Sequence, residues 1–425
     1  MKKLTINRIN QDILYEKLNN GLDVYFCKTN HGSNVYATLT AKYGSIHKYF
    51  KPYNKKMTTM PDGIAHFLEH KIFAQPSGED VGTIFEESGI TYNAHTSLKS
   101  TTYEISGVDD ISDKIIYLLD FVQTPYFTKE NVEIERGIIK QEINMCNDNP
   151  WNILYDKIRY NVFQKDPIRL SIAGTPNDID NINEQLLYDC YNTFYNPSNM
   201  FLVVTGSFDC EDLINKIKIN QQNKTFPKED KIEFKKIEEK DEVYIKEEIV
   251  PFNTYTPKFA YTIKLPLMKN IPKRKLILYL HIIFDILFDE TSEFNYNAKS
   301  DNLITHDMQL DILNTSSHVI ISLINETSKV EELKERIINI LNNIQINEED
   351  FNRKKKVLIS NELFGYENIV IINDIIIDNI LFDNKIEENI IPIIESLNME
   401  ELHDVIKNIN LKNTSTVIIK KERKK

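Results

Sequence analysis

Residues 66–70 read His66-Phe67-Leu68-Glu69-His70, two imidazoles and a carboxylate within five positions. Histidines four apart lie on one face of a helix, about one turn from each other, where both can reach a single ion. Neutral imidazole is a good zinc ligand. Glu69, one residue before the second histidine, is close enough to take a proton from a water on that ion and pass it to a leaving amine. Zinc brings the pKa of such a water toward ~7, so a carboxylate suffices as the base. A hydrolytic zinc keeps one position open and needs a third protein ligand. Glu142, in ERGIIKQEINM, is the candidate. Glu135 lies seven residues earlier, two helical turns away on the same face. One of the two can ligate while the other orients a histidine or tunes the site. A glutamate-rich helix alone is ordinarily a solvated face; the H-x-x-E-H spacing lifts this one above that background.

The elements that must hold these groups follow from pattern. GIAHFLEHKIF places Ile64, Phe67, Leu68 and Ile72 at helical intervals, so the two histidines sit on a buried helix. Glycine divides the chain: eleven of twelve fall between Gly21 and Gly206, and only Gly365 follows. Between the halves, Lys216 to Glu248 is polar, highly charged and contains a proline, which predicts a linker. The halves repeat one order of elements. ITYNAHTSLKSTTYEISGVDDISDKIIYLLDFVQ from Ile90 alternates like paired strands and then turns helical, as does LITHDMQLDILNTSSHVIISLINETSKVEELKERIINILNNIQ from Leu303. Helical segments FTKENVEIERGIIKQEI and INEEDFNRKKKVLISNEL come next, and each half closes with a helix and a strand. The expected fold is α+β: two homologous domains, each a mostly antiparallel sheet with helices packed on one face. The expected boundaries are 1–218 for the metal-binding domain, 219–247 for the linker and 248–425 for a metal-free domain of the same fold.

Composition narrows the function. A chain of 425 residues with 41% apolar and 27% charged residues can build two sizeable cores. The net charge of −12 argues against a nucleic-acid partner, which needs a basic face. Cys27, Cys146, Cys190 and Cys210 are far apart and form no CxxC pair, so neither a disulfide scaffold nor a thiolate zinc site is expected. The start, MKKLTINRINQDILYEKL, has two lysines without an apolar run behind them and does not read as a signal peptide. The most apolar stretch, IVIINDIIIDNILF from Ile369, is interrupted by Asn and Asp and is not a membrane span. These features predict a cytoplasmic protein with no membrane partner.

The inverted motif at His66–His70, followed 72 positions after His70 by Glu142 with Glu135 on the same helix, resembles the insulinase/pitrilysin zinc metallopeptidases. PDGIAHFLEH, YNAHTS, ERGIIKQEI and YNPSNMFLVVTGSFD occur in the family's order. The likeness covers the first half well and the second half in outline, and the length suggests the smaller, processing-peptidase-like branch. The resemblance implies zinc ligands His66, His70 and Glu142, Glu69 as general base and Glu135 as a supporting glutamate. It assigns Asn93 and Ala94 to a strand edge that pairs with the substrate backbone, a role that suits an extended peptide. His95 is left as structural or substrate-lining. Active relatives usually carry an Arg and a Tyr in the second domain to hold the substrate; here SEFNYNAKSDNLITHDMQLDI has neither Arg nor Gly, and its Tyr296 is not a convincing match. The expectation is therefore a zinc endopeptidase acting on unfolded or leader-type peptides beside a homologous sister chain that lacks the motif, or as a homodimer. The competing class is a metal-free scaffold or peptide-binding subunit.

Overall fold

The computed structural model describes all residues except 7, 8, 10, 30, 31, 228–230, 384–389 and 423–425. The chain forms two compact units. The first comprises residues 1–144, 170–236 and 363–389, and the second 145–169, 237–362 and 390–425.

The first unit contains β1 (Lys2–Ile6), β2 (Gln11–Lys17), β3 (Asp23–Lys28), β4 (Asn34–Ala41), a short β5 (Tyr49–Phe50) and β6 (Thr58–Thr59) pair, β7 (Thr91–Thr96), β8 (Thr101–Val108) and β9 (Met200–Gly206). Seven of them make one sheet in the order β1-β2-β3-β9-β4-β8-β7, which leaves β7 at an edge. Pairing is antiparallel except between β3 and β9. The side-chain period of two sends alternate residues of β9 to opposite faces. Met200, Leu202 and Val204 enter the main core with Val24, Phe26, Phe67, Leu68 and Ile72. Phe201 and Val203 enter a second cluster with Tyr25, Ile372, Ile376 and Ile380. Complete burial of side chains such as Phe67, Leu68 and Ile72 stabilises the fold by roughly 1.5–3 kcal/mol each.

That second cluster corrects the expectation of helices on one face only. The stretch from Ile369 forms a helix, Ile369–Asp383, with isoleucines at i, i+4 and i+8 against the sheet. Its interrupting Asn373 is fully buried and satisfied. It accepts from the Thr38 hydroxyl at 2.7 Å and donates to the Val203 carbonyl at 3.3 Å. No described helix is long and apolar enough to cross a membrane.

The second unit carries β10 (Glu247–Pro251), β11 (Lys258–Pro266), β12 (Gln309–Asn314), β13 (His318–Glu326) and β14 (Thr414–Lys420) in the order β10-β14-β11-β13-β12. Again one pair, β10 with β14, is parallel and the rest antiparallel. Phe259, Tyr261, Ile263 and Leu265 of β11 face the main core with Leu276, Tyr279 and Ile283 of the helix Lys273–Phe288. On the other face, Ala260, Ile324, Val417 and Ile419 pack with Leu154 and Ile158 of the helix Pro150–Val162.

Each unit thus covers the second face of its sheet with a helix that follows the long helix of the other half of the sequence. The linear division at 218 and 248 departs from the contact pattern at these two segments, 145–169 and 363–389. Residues 219–247, expected as a linker, make specific contacts. Their first residues end the helix Cys210–Gln222. Phe234 bridges to Phe50, and the Lys51 N–H donates to the Glu233 carbonyl at 3.0 Å. Further along, Glu239 is buried by the second unit, its side chain 2% exposed.

Candidate metal centre

The helix Ile64–Ile72 buries Ile64, Phe67, Leu68 and Ile72 on one side, which turns His66 and His70 to another. Its start requires Gly63. The residue has φ +81°, which strains any L side chain, and a Cβ there would meet the Ala173 carbonyl oxygen at 2.3 Å. The helix Lys129–Asn147 presents its glutamates in the same way. Val132, Ile139 and Ile143 are buried, and Glu135 and Glu142 stand on one flank, two turns apart.

The two helices bring the ligand atoms together. His66 Nε2 lies 3.3 Å from His70 Nε2, His66 Nε2 lies 3.5 Å from Glu142 Oε1, and His70 Nε2 lies 3.4 Å from Glu142 Oε2. Among the described residues this is the one group of three such side chains close enough to hold an ion. Tetrahedral zinc with bonds of about 2.0–2.1 Å has ligand-to-ligand edges of about 3.3–3.4 Å. The observed separations are close to that edge, with the two histidines meeting different oxygens of the Glu142 carboxylate. The donor set, two imidazole nitrogens and a carboxylate oxygen with a fourth position open, is also that of hydrolytic zinc sites. The side chains of His66 and His70 are mostly shielded, 12% and 23% exposed, whereas Glu142 at 37% marks the open side.

Around them the electrostatics are directional. His70 Nδ1 is 3.0 Å from Glu135 Oε1. An Nδ1–H donated there leaves the Nε2 lone pair facing His66 and Glu142. Burial works to lower the His70 pKa, but the Glu135 hydrogen bond and the charges of Glu135, Glu69 and Glu142 hold it above its ordinary value. Burial favours the neutral acid at Glu135, and the His70 hydrogen bond together with the Lys71 charge outweighs it, keeping the carboxyl below the usual range. Lys71 is itself lowered by burial and rests 3.4 Å from Glu135 Oε2. The Glu142 carboxyl is lowered first by its hydrogen bond to His66. His66 Nδ1 is buried without a hydrogen-bond partner among the described residues.

Glu69 is buried on the same helix and accepts a 2.6 Å hydrogen bond from the Thr96 hydroxyl. The strand β7 that ends at Thr96 also carries Asn93 and Ala94. Ala94 packs on the main core, while Asn93 and His95 are exposed on the opposite sheet face. The structure therefore gathers His66, Glu69, His70, Glu135 and Glu142, and places Asn93 and Ala94 on a strand whose outer edge is unpaired among the described residues. Tyr296 is exposed on the helix Glu293–Ser300 of the second unit. Sequence reading missed Thr96 and Lys71. Thr96 was visible only as one residue of YNAHTS, and strand alternation counted from Ala94 was the available sign that it faces the histidine helix.

Residues 56–176 match the family described as "Insulinase (Peptidase family M16)", and residues 181–358 match "Peptidase M16 inactive domain". The chain is 34% identical over 346 residues, 80% of each protein, to a Bacillus subtilis (strain 168) protein named "Uncharacterized zinc protease YmfH". It is 27% identical over 163 residues to Bos taurus "Mitochondrial-processing peptidase subunit beta", covering 37% of this chain and 33% of that one. Among solved structures, an M16-like peptidase from Alicyclobacillus acidocaldarius superposes with a TM-score of 0.92 at 28% identity, covering 98% of this chain and 99% of that one.

Proposed function

Because the chain belongs to the insulinase family of peptidases, family M16, and zinc is its cofactor, we propose that it is a zinc endopeptidase for unfolded or leader-type peptides. The observation that carries the reading is the triangle of His66 Nε2, His70 Nε2 and Glu142 at 3.3–3.5 Å with Glu69 beside it. His66, His70 and Glu142 are the residues that would hold zinc. Zinc, when bound, supplies Lewis-acid polarisation of the scissile carbonyl and a water acidic enough to deprotonate near neutral pH. Glu69 then acts as the base, taking the proton of the attacking water on a carboxylate oxygen and returning it to the departing amine. Asn93 and Ala94, on the open edge of β7, offer backbone groups to an extended peptide, which is held through its own main chain.

Glu135 is assigned to orienting His70. Its replacement tests that directly: Glu135→Gln should weaken zinc binding by about 10–100-fold, read by competition against a chelating dye. An affinity equal to the wild type would leave Glu135 without this role.

We further propose that a homologous sister chain lacking the motif, or a second copy, completes the substrate site. In support, residues 292–312 contain no Arg and no Gly, and one relative is named as a subunit. Digestion of an unstructured peptide library, with zinc present and with zinc chelated, tests both parts. Cleavage is expected only with zinc and is expected to rise on mixing with the sister chain. Full activity of the lone chain would exclude the shared site. Purified protein without zinc, and unable to take it up, would favour the metal-free scaffold instead.

A further inference from the structure

We propose that Thr96 is a positioning residue for Glu69, an inference that rests on reading Glu69 as the base. Its hydroxyl fixes one carboxylate oxygen and so presents the other to the reacting water. A glutamate carboxylate turns easily about its last bond. A misplacement of about 1 Å in a reacting group can cost on the order of 100-fold in rate. Glu69 is buried on a helix whose neighbouring residue, His70, is held from its far side by Glu135. The carboxylate needs its own restraint, and Thr96 supplies it at 2.6 Å, the length of a charge-assisted O–H···O bond.

The direction of this bond follows from its neighbours. Thr101 Oγ1 lies 3.4 Å from Thr96 Oγ1, but the Thr101 proton is donated to the Tyr43 carbonyl at 2.8 Å. The proton of Thr96 is thus free for Glu69, and a carboxylate can only accept it.

The backbone holding Thr96 is fixed as well. Thr96 pairs with Thr101 at the end of the β7–β8 hairpin, and the Ser97 N–H donates to the Ser100 carbonyl at 2.7 Å. Gly44 lies against this turn so closely that a Cβ would come within 2.5 Å of the Ser97 carbonyl oxygen. The N–H groups of Ser45 and Ile46 donate to the carbonyls of Ser97 and Leu98, each at 3.1 Å. A strand end pinned on two sides is a rigid mount for a hydroxyl aimed at a base.

The test uses the full zinc-loaded chain, with its sister chain if mixing is needed for cleavage. Thr96→Val, nearly isosteric, should lower kcat by about 10–100-fold with KM and zinc content unchanged, and Thr96→Ser should restore it. Where Thr96→Val does not fold, Thr96→Ala makes the same deletion without burying a new methyl group. Crystal structures of the zinc-loaded variants read the point without turnover. The Glu69 carboxylate should keep its place in Thr96→Ser and turn away once the hydroxyl is gone. A wild-type kcat without the hydroxyl, or an unmoved carboxylate, overturns the proposal. Glu69→Gln separates the two levels: if that variant remains active, the assignment of the base is what failed.

Discussion

Glu69→Gln is expected to lower kcat by about 10²–10⁴-fold, equivalent to about 3–5 kcal/mol in the barrier, while zinc content and thermal stability stay near wild type. The amide has the size of the carboxylate and can still accept from Thr96 through its carbonyl oxygen. It cannot take a proton. The ligand atoms on His66, His70 and Glu142 are untouched by the change. Peptide cleavage and metal analysis on the same preparation check it. Loss of zinc in this variant would make Glu69 a ligand, and retained cleavage would remove it as the base.

The contrast between the buried Glu69 and the half-buried Glu135 shows why two glutamates so close together serve differently. Glu135 has His70 on one oxygen and Lys71 beside the other, so both of its oxygens are engaged by cationic or donor groups. It is an anion held in place, suited to orienting a ring. Glu69 has a neutral hydroxyl as its partner, which fixes an oxygen without lending it a positive charge. A carboxylate that must give and take a proton is better served by the second arrangement.

What the sequence revealed followed the range of its signals. Local periodicity located the helix Ile64–Ile72 and the long helices Lys129–Asn147 and Glu348–Gly365, and spacing four and seven placed His66, His70, Glu135 and Glu142 on shared faces. The order of strands and helices in both halves was legible for the same reason. The exchange of outer helices was not, because nothing within Pro150–Val162 or Ile369–Asp383 says which sheet each will cover. Asn373 looked like an interruption of an apolar run; its partners, Thr38 and Val203, are some 335 and 170 positions away. Thr96 was hidden likewise, since its importance lies in a contact with Glu69 and not in any motif of its own.

Glu239 is the sharpest such case and the second large effect. It lies in a run of charges that reads as a linker, yet its carboxylate accepts the Gln164, Lys165 and Asp166 backbone N–H groups at 2.8, 2.7 and 2.8 Å and pairs with Lys264 Nζ at 2.8 Å. Lys264 is fully buried. Burial pushes the Glu239 pKa up, but the Lys264 hydrogen bond and the three amides outweigh it and bring it down to about 2. A depressed carboxyl stabilises the fold above its unfolded pKa, near 4.5, and that contribution is lost as pH falls toward 2. Glu239→Ala should therefore destabilise the second unit by about 3–5 kcal/mol near neutral pH, because it strands the Lys264 charge and three amides. Urea unfolding, followed with amide exchange at residues 164–166, measures it. The loss should shrink in acid, where the wild type forfeits the same interaction. If the stranded ammonium is the main cost, adding Lys264→Met to Glu239→Ala recovers part of the stability. A double variant no better than the single one would place the cost in the unpaired amides of Gln164, Lys165 and Asp166.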